Sequence, residues 1–125
     1  MILNIPPCSK PRMTQRDRWK KRQCVLDFFA FRDRIRQEVK RINTLLIKES
    51  PFDWDNLTVI FLVPMPKSWS KKKKALMVGK PMQQRPDLDN YLKGLFDATH
   101  EEDSSIWKVT ASKIWTDCTG KIIIN

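Results

Sequence analysis

Residues 57 to 63 read LTVIFLV, an unbroken apolar run rich in β-branched side chains, and prolines at 64 and 66 stop it. A short continuous run of this kind predicts a central strand buried on both faces. Such a strand needs neighbours at its edges and cover above and below, so the rest of the chain has to supply them. The longest helical pattern runs from about Trp19 to Lys48. There Val25, Phe28, Phe31, Ile35, Val39, Ile42 and Leu46 recur at three- and four-residue spacing, and Ser50-Pro51 ends the pattern. A second helix is predicted to start at Asp87, an N-cap residue behind a proline. Leu88, Tyr91, Leu92, Leu95, Phe96 and Thr99 form its buried stripe.

The remaining segments read as short strands. Met1 to Ile5 is one, stopped by Pro6-Pro7. Ile106 to Thr116 is another, with Trp107, Val109, Ala111 and Trp115 on one face. Asp117 to Gly120 makes a turn, and Lys121 to Asn125 closes the fold. The sum is an α+β fold: one small domain over residues 1–125, with a mixed β-sheet of about four strands packed with two helices. At 125 residues a single domain buries roughly two-thirds of its unfolded surface, enough for a core.

Charge narrows the function. The net charge is +10 and the pI about 9.8, which points to a polyanionic partner, nucleic acid first. No apolar run is long enough for a membrane span, and the amino-terminal residues show no signal-peptide pattern. The expectation is a soluble, cytoplasmic protein with no membrane partner. Cys8, Cys24 and Cys118 are odd in number and lack a CxxC pair, so they read as reduced thiols.

The charges are also segregated. Residues 66 to 85 carry seven Lys and Arg and no acid, whereas residues 85 to 103 hold six of the 14 carboxylates. Lys71 to Lys74 sit among Pro, Ser and Gly and read as a loop. On a helix, Asp89, Lys93 and Asp97 share one face, away from the apolar stripe. Asp87, if it is an extended N-cap, converges with Asp89 at the helix start. Two such carboxylates suit a divalent cation that keeps waters and open positions for phosphate oxygens. A metal there would invert the local charge and make the acidic block tolerable against DNA. The plainer reading is helix capping, since short DxD motifs are frequent. Asp97 reads as an i, i+4 ion-pair partner of Lys93, and His100 as a solvated residue at a helix end. The lysine run reads as phosphate-binding or merely solvated. Trp69 either stacks on an unpaired base or packs on the domain.

PKSWSKKKK (66–74), Gly79-Lys80-Pro81 and PDLDNYLKGLFDA (86–98) together resemble the RusA family of Holliday-junction resolvases, with weaker likeness in KPRMT (10–14) and the closing strands. The resemblance implies an intertwined homodimer acting on four-way junction DNA in recombination and repair. It also implies Mg²⁺-dependent hydrolysis, with Mn²⁺ as a substitute and no small-molecule cofactor, and a bacterial host, phage or prophage included. By position it carries the metal ligands and catalytic carboxylates to Asp87, Asp89 and Asp103, and the catalytic lysine to Lys93. Asp103 is the second member of the Glu102–Asp103 pair, with Glu102 the alternative ligand. Ser105 stands where relatives carry Gln. The expected DNA-binding residues are Lys67, Trp69, Lys71, Lys72, Lys73, Lys74, Lys80 and Arg85.

Overall fold

The computed structural model describes residues 1–46, 56–100, 104 and 106–125. Strand β2 (Leu57–Pro64) sits inside a four-stranded sheet of order β1-β4-β2-β3, completed by β1 (Ile2–Leu3), β3 (Val109–Thr116) and β4 (Lys121–Ile124). β2 runs parallel to β3, from Leu57 opposite Val109 to Pro64 opposite Thr116, and antiparallel to β4. β4 pairs antiparallel with β1. The expected mixed sheet is therefore present. Parallel neighbours need a crossover connection. Between β2 and β3 it carries two helices, α2 (Lys71–Met77) and α3 (Leu88–Thr99).

The turn after β3 crosses the end of β2 to reach β4. Gly120 makes this possible with φ +100°, and a Cβ there would lie 3.1 Å from Pro6 Cα and 3.2 Å from the Leu62 carbonyl.

Helix α1 (Gln23–Leu46) and α3 pack together against one face of the sheet. Val25, Phe28, Phe31 and Ile35 of α1 are buried, and Val39 and Ile42 half-buried, in line with the expected stripe. The Leu46 side chain, Lys48 and the Ser50-Pro51 stop lie outside the described residues. From α3, Tyr91, Leu95 and Ala98 enter the core, and Tyr91 stacks on Phe61 at 5.3 Å between ring centres.

Three expectations need correction. β2 is not buried on both faces: Leu57, Val59, Phe61 and Val63 are buried under the helices, while Thr58, Ile60 and Leu62 stay half-exposed. Register places Ile123 and Ile114 beside them on this open face. β3 starts at Val109, so Trp107 lies ahead of the strand and is 68% exposed.

The lysine run is helical rather than a loop, giving three α-helices among the described residues instead of two. Ser70 caps α2 by accepting the Lys73 amide at 3.1 Å. Ala75, Leu76 and Met77 are strong helix formers. Gly79, at φ +78°, turns the chain after the helix. Residues 79–82 then pair antiparallel with β3, through the Gly79 amide to the Trp115 carbonyl (2.9 Å), the Trp115 amide to Lys80 (3.0 Å) and the Met82 amide to Lys113 (3.0 Å).

Candidate active site

Helix α3 begins where its sequence says it should. Pro86 precedes Asp87, whose backbone is extended (φ −67°, ψ 151°) and whose carbonyl accepts the amides of Asn90 (3.1 Å) and Tyr91 (3.3 Å). An aspartate at this position ordinarily uses its carboxylate to accept an amide of the first turn. Asp87 does not: its side chain makes no capping bond and is exposed. Asp89, in the first turn, and Lys93, one turn later, are exposed as well. Among the described residues, no hydrogen bond or ion pair engages the side chain of Asp87, Asp89 or Lys93. Three charged groups at the start of one helix, without partners among the described residues, present their charge outward.

Asp97 does not pair with Lys93. Its carboxylate takes the ammonium of Lys10 instead, brought from the amino-terminal segment. That segment crosses α3 closely, with the Lys10 amide bonded to the Asn90 carbonyl at 3.2 Å. Gly94 permits the approach, because a Cβ there would stand 2.6 Å from the Cys8 carbonyl oxygen. Sequence spacing pointed to the i+4 neighbour, but the tertiary contact wins and leaves Lys93 unpaired. Lys10, Arg12, Met13, Asn90 and Lys93 line a groove of about 550 Å³ beside the helix.

Sequence reasoning missed Lys113. From β3 its ammonium donates to the carbonyls of Gln84 (2.5 Å) and Pro86 (2.7 Å), holding the turn that delivers Asp87. The sequence offered one clue, a lysine within the apolar alternation of β3. The Arg85–Pro86 peptide in this turn is cis.

Of the expected DNA-contacting residues, Lys67, Lys71, Lys72, Lys73, Lys80 and Arg85 are exposed and Lys74 is half-buried. Trp69 packs edge-on against Trp115 at 4.9 Å, and Lys73 lies 4.1 Å above its ring. One of the two alternatives for Trp69, packing on the domain, is thus what the structure shows. His100 is the C-cap of α3; its Nδ1 lies 2.7 Å from Thr99 Oγ1 and its ring meets the edge of Phe96.

The remaining carboxylates, Glu102 and Asp103, lie outside the described residues, as does Ser105. Among the described residues no group of three or more His, Cys, Asp or Glu side chains gathers. Two exposed carboxylates with unused oxygens nevertheless fit a hard divalent cation of the Mg²⁺ type, which takes few protein oxygens and keeps its waters. Among the described residues, no helix is long and apolar enough to cross a membrane.

No curated protein and no solved structure matches the chain. The family model described as Endodeoxyribonuclease RusA matches residues 5–125, which takes in β2, β3, β4, α1, α2, α3 and the Asp87–Lys93 segment. The chain therefore belongs to the RusA family, the Holliday-junction-resolving endodeoxyribonucleases that hydrolyse phosphodiester bonds in DNA.

Proposed function

We propose that this protein is a Mg²⁺-dependent, structure-specific endonuclease that resolves Holliday junctions by paired symmetric nicks, in DNA recombination and repair in the bacterial cytoplasm. The observation that carries the reading is the Asp87 side chain: it occupies an N-cap position without capping, on the same helix start as Asp89 and Lys93, which have no partner among the described residues. A carboxylate whose only task was helix capping would accept a first-turn amide.

Asp87 and Asp89 are the metal ligands at the helix start, with Asp103 completing the set. A divalent cation held there by these carboxylates would supply Lewis-acid activation of water and charge neutralisation at the scissile phosphate. Lys93 sits one turn along the same helix, where its ammonium neutralises charge that builds on the phosphate oxygens. Lys113 holds the turn before Asp87 and so fixes the direction from which the carboxylates point. The basic α2 and Lys67, Lys80 and Arg85 supply attraction for the phosphodiester backbone, which offsets the repulsion of the acidic cluster.

The acting unit is a homodimer. One chain offers one acidic cluster, and symmetric cutting of a four-way junction needs two equivalent sites, which a two-fold pair supplies. The open sheet face, with Ile60, Leu62, Ile114 and Ile123 half-exposed, is the surface for a second copy.

The test incubates the protein and Mg²⁺ with labelled junction, flap and duplex DNA. Symmetric cutting of the junction alone is expected. Cutting of flap or duplex at a comparable rate would move the specificity elsewhere, and binding without cutting would remove the metal site. In dimers mixing one wild-type and one Asp89→Asn subunit, a cruciform plasmid should yield nicked circles. Linear product at the wild-type rate would refute paired sites.

A further inference from the structure

The segment from Lys10 to Arg22 is as basic as α2, and its Lys10, Arg12 and Met13 line the same groove as Lys93. Seven of its thirteen residues are Lys or Arg, and Asp17 is its one acid. Asp17 is not part of the exposed charge. It is buried and held by the Arg22 guanidinium (3.1 and 3.2 Å) and by the Thr14 amide (2.8 Å) and hydroxyl (3.1 Å), which organise the 3-10 turn Gln15–Arg18. With Lys10 on Asp97 and Arg22 on Asp17, five cations remain without a carboxylate partner among the described residues: Arg12, Arg16, Arg18, Lys20 and Lys21.

These cations border three neighbouring grooves. The groove beside Lys93 and Asn90 shares Met13 with a second, of about 500 Å³, lined by Arg18, Lys21 and Phe29. The second shares Lys21 with a third, of about 410 Å³, lined by Arg16, Trp19, Lys20 and Arg22. At its far end the Trp19 side chain stands 92% exposed. An indole left in water without a packing partner presents a flat apolar face amid cations. That combination suits a nucleobase flanked by phosphates. Bases in a duplex already stack on both faces, so only an unpaired nucleotide can use such a platform.

We propose that residues 10–22 form a second DNA track, leading from Lys93 to Trp19, that holds nucleotides left unpaired where the strands of the junction exchange. One unpaired base stacks on Trp19, and Arg16, Lys20 and Lys21 take the adjoining phosphates. The inference rests on the family's DNA substrate and not on the metal ligands or the dimer.

The test measures binding by the full chain, in EDTA, of a labelled oligo(dT) of about twenty nucleotides and of a duplex of equal length. Trp19→Ala should weaken oligo(dT) binding roughly tenfold, the scale of removing one base–aromatic stack, and change duplex binding less than about twofold. Trp19→Phe should keep most of the affinity. Combined Arg16→Ala, Lys20→Ala and Lys21→Ala should weaken both ligands and flatten the salt dependence. Because Trp19 is exposed, circular dichroism and Tm of the Trp19→Ala chain should match wild type.

The inference is overturned if Trp19→Ala binds oligo(dT) like wild type. It fails equally if oligo(dT) and duplex lose the same factor. A changed oligomeric state with unchanged DNA binding would make Trp19 a protein contact and end the proposal. Since no cleavage is read, a chain that failed to cut junctions could still show the oligo(dT) effect, and the two readings fail separately.

Discussion

Replacing Gly94 with alanine sets two effects of opposite sign against each other. Alanine in a helix interior is favoured over glycine by about 1 kcal/mol. The new Cβ, however, would lie 2.6 Å from the Cys8 carbonyl oxygen and 3.3 Å from the Lys10 amide nitrogen. A close carbon–oxygen contact needs about 3.3 Å, so the amino-terminal segment must retreat by about 0.7 Å. Both obstacles are backbone atoms, which yield less readily than a side-chain tip. Overpacking of this kind costs about 1–3 kcal/mol, leaving a net destabilisation of about 0–2 kcal/mol after the propensity gain. At the centre of that range Tm falls by about 4 °C for a domain of this size. The retreat also loosens the Lys10 bond to Asn90 and its ion pair with Asp97, so binding to junction DNA without metal should weaken along with Tm. Thermal unfolding followed by circular dichroism, paired with an electrophoretic binding assay, reads both. A Tm several degrees above wild type, with unchanged DNA binding, would show the propensity gain expressed in full. The close crossing of α3 by residues 8–10 would then be wrong.

Asp87→Asn or Asp89→Asn should abolish Mg²⁺-dependent cleavage and leave metal-free junction binding intact or tighter, because a neutral amide is a poor ligand for a hard cation; nuclease and gel-shift assays on one preparation check both. Neutralising Lys71 to Lys74 should lower the salt slope of duplex binding by roughly 0.9 for each phosphate that the helix no longer neutralises, as measured by titration across salt concentrations. The Arg22 guanidinium, and then the Thr14 amide, hold the Asp17 carboxyl well below the usual carboxylate range. A depressed folded-state pKa adds stability that is present above the ordinary value near 3.8 and lost as pH falls toward the folded value. Asp17→Asn should therefore lower Tm most at neutral pH, and the gap to wild type should narrow below about pH 4.

What could be read from the sequence was local or periodic. The N-cap at Asp87 and the core positions Val25 to Ile35 follow from spacing along one helix, and the structure reproduces them; of the α3 stripe, Tyr91 and Leu95 are buried and Leu88, Leu92 and Phe96 half-buried, while Gly94 and Ala98, outside it, are buried too. The lysine run misled because four like charges between prolines resemble a loop, whereas one Ser70 hydroxyl and the Ala-Leu-Met that follows suffice for two turns of helix. The Lys10–Asp97 pair was invisible for another reason. Its partners lie 87 positions apart, and only the folded approach at Gly94 brings them together. The same holds for Lys113, whose partners are carbonyls of a turn near α3 and so leave no side-chain signature. In β2, an unbroken apolar run could not distinguish a face covered by helices from one left half-exposed.

The pairing of residues 79–82 with β3 has a consequence for how the protein behaves when crowded. A sheet grows by adding strands to an exposed edge, and a protein that gathers along DNA raises its own local concentration. Here one edge carries residues 79–82 over the carboxy-terminal half of β3. The other edge is β1, two residues long, with the Ile124 amide bonded to the Met1 carbonyl at 2.8 Å. Short and covered edges give a neighbouring chain little main chain to pair with. Molecules packed along one nucleic acid can thus remain separate bodies instead of knitting into fibres.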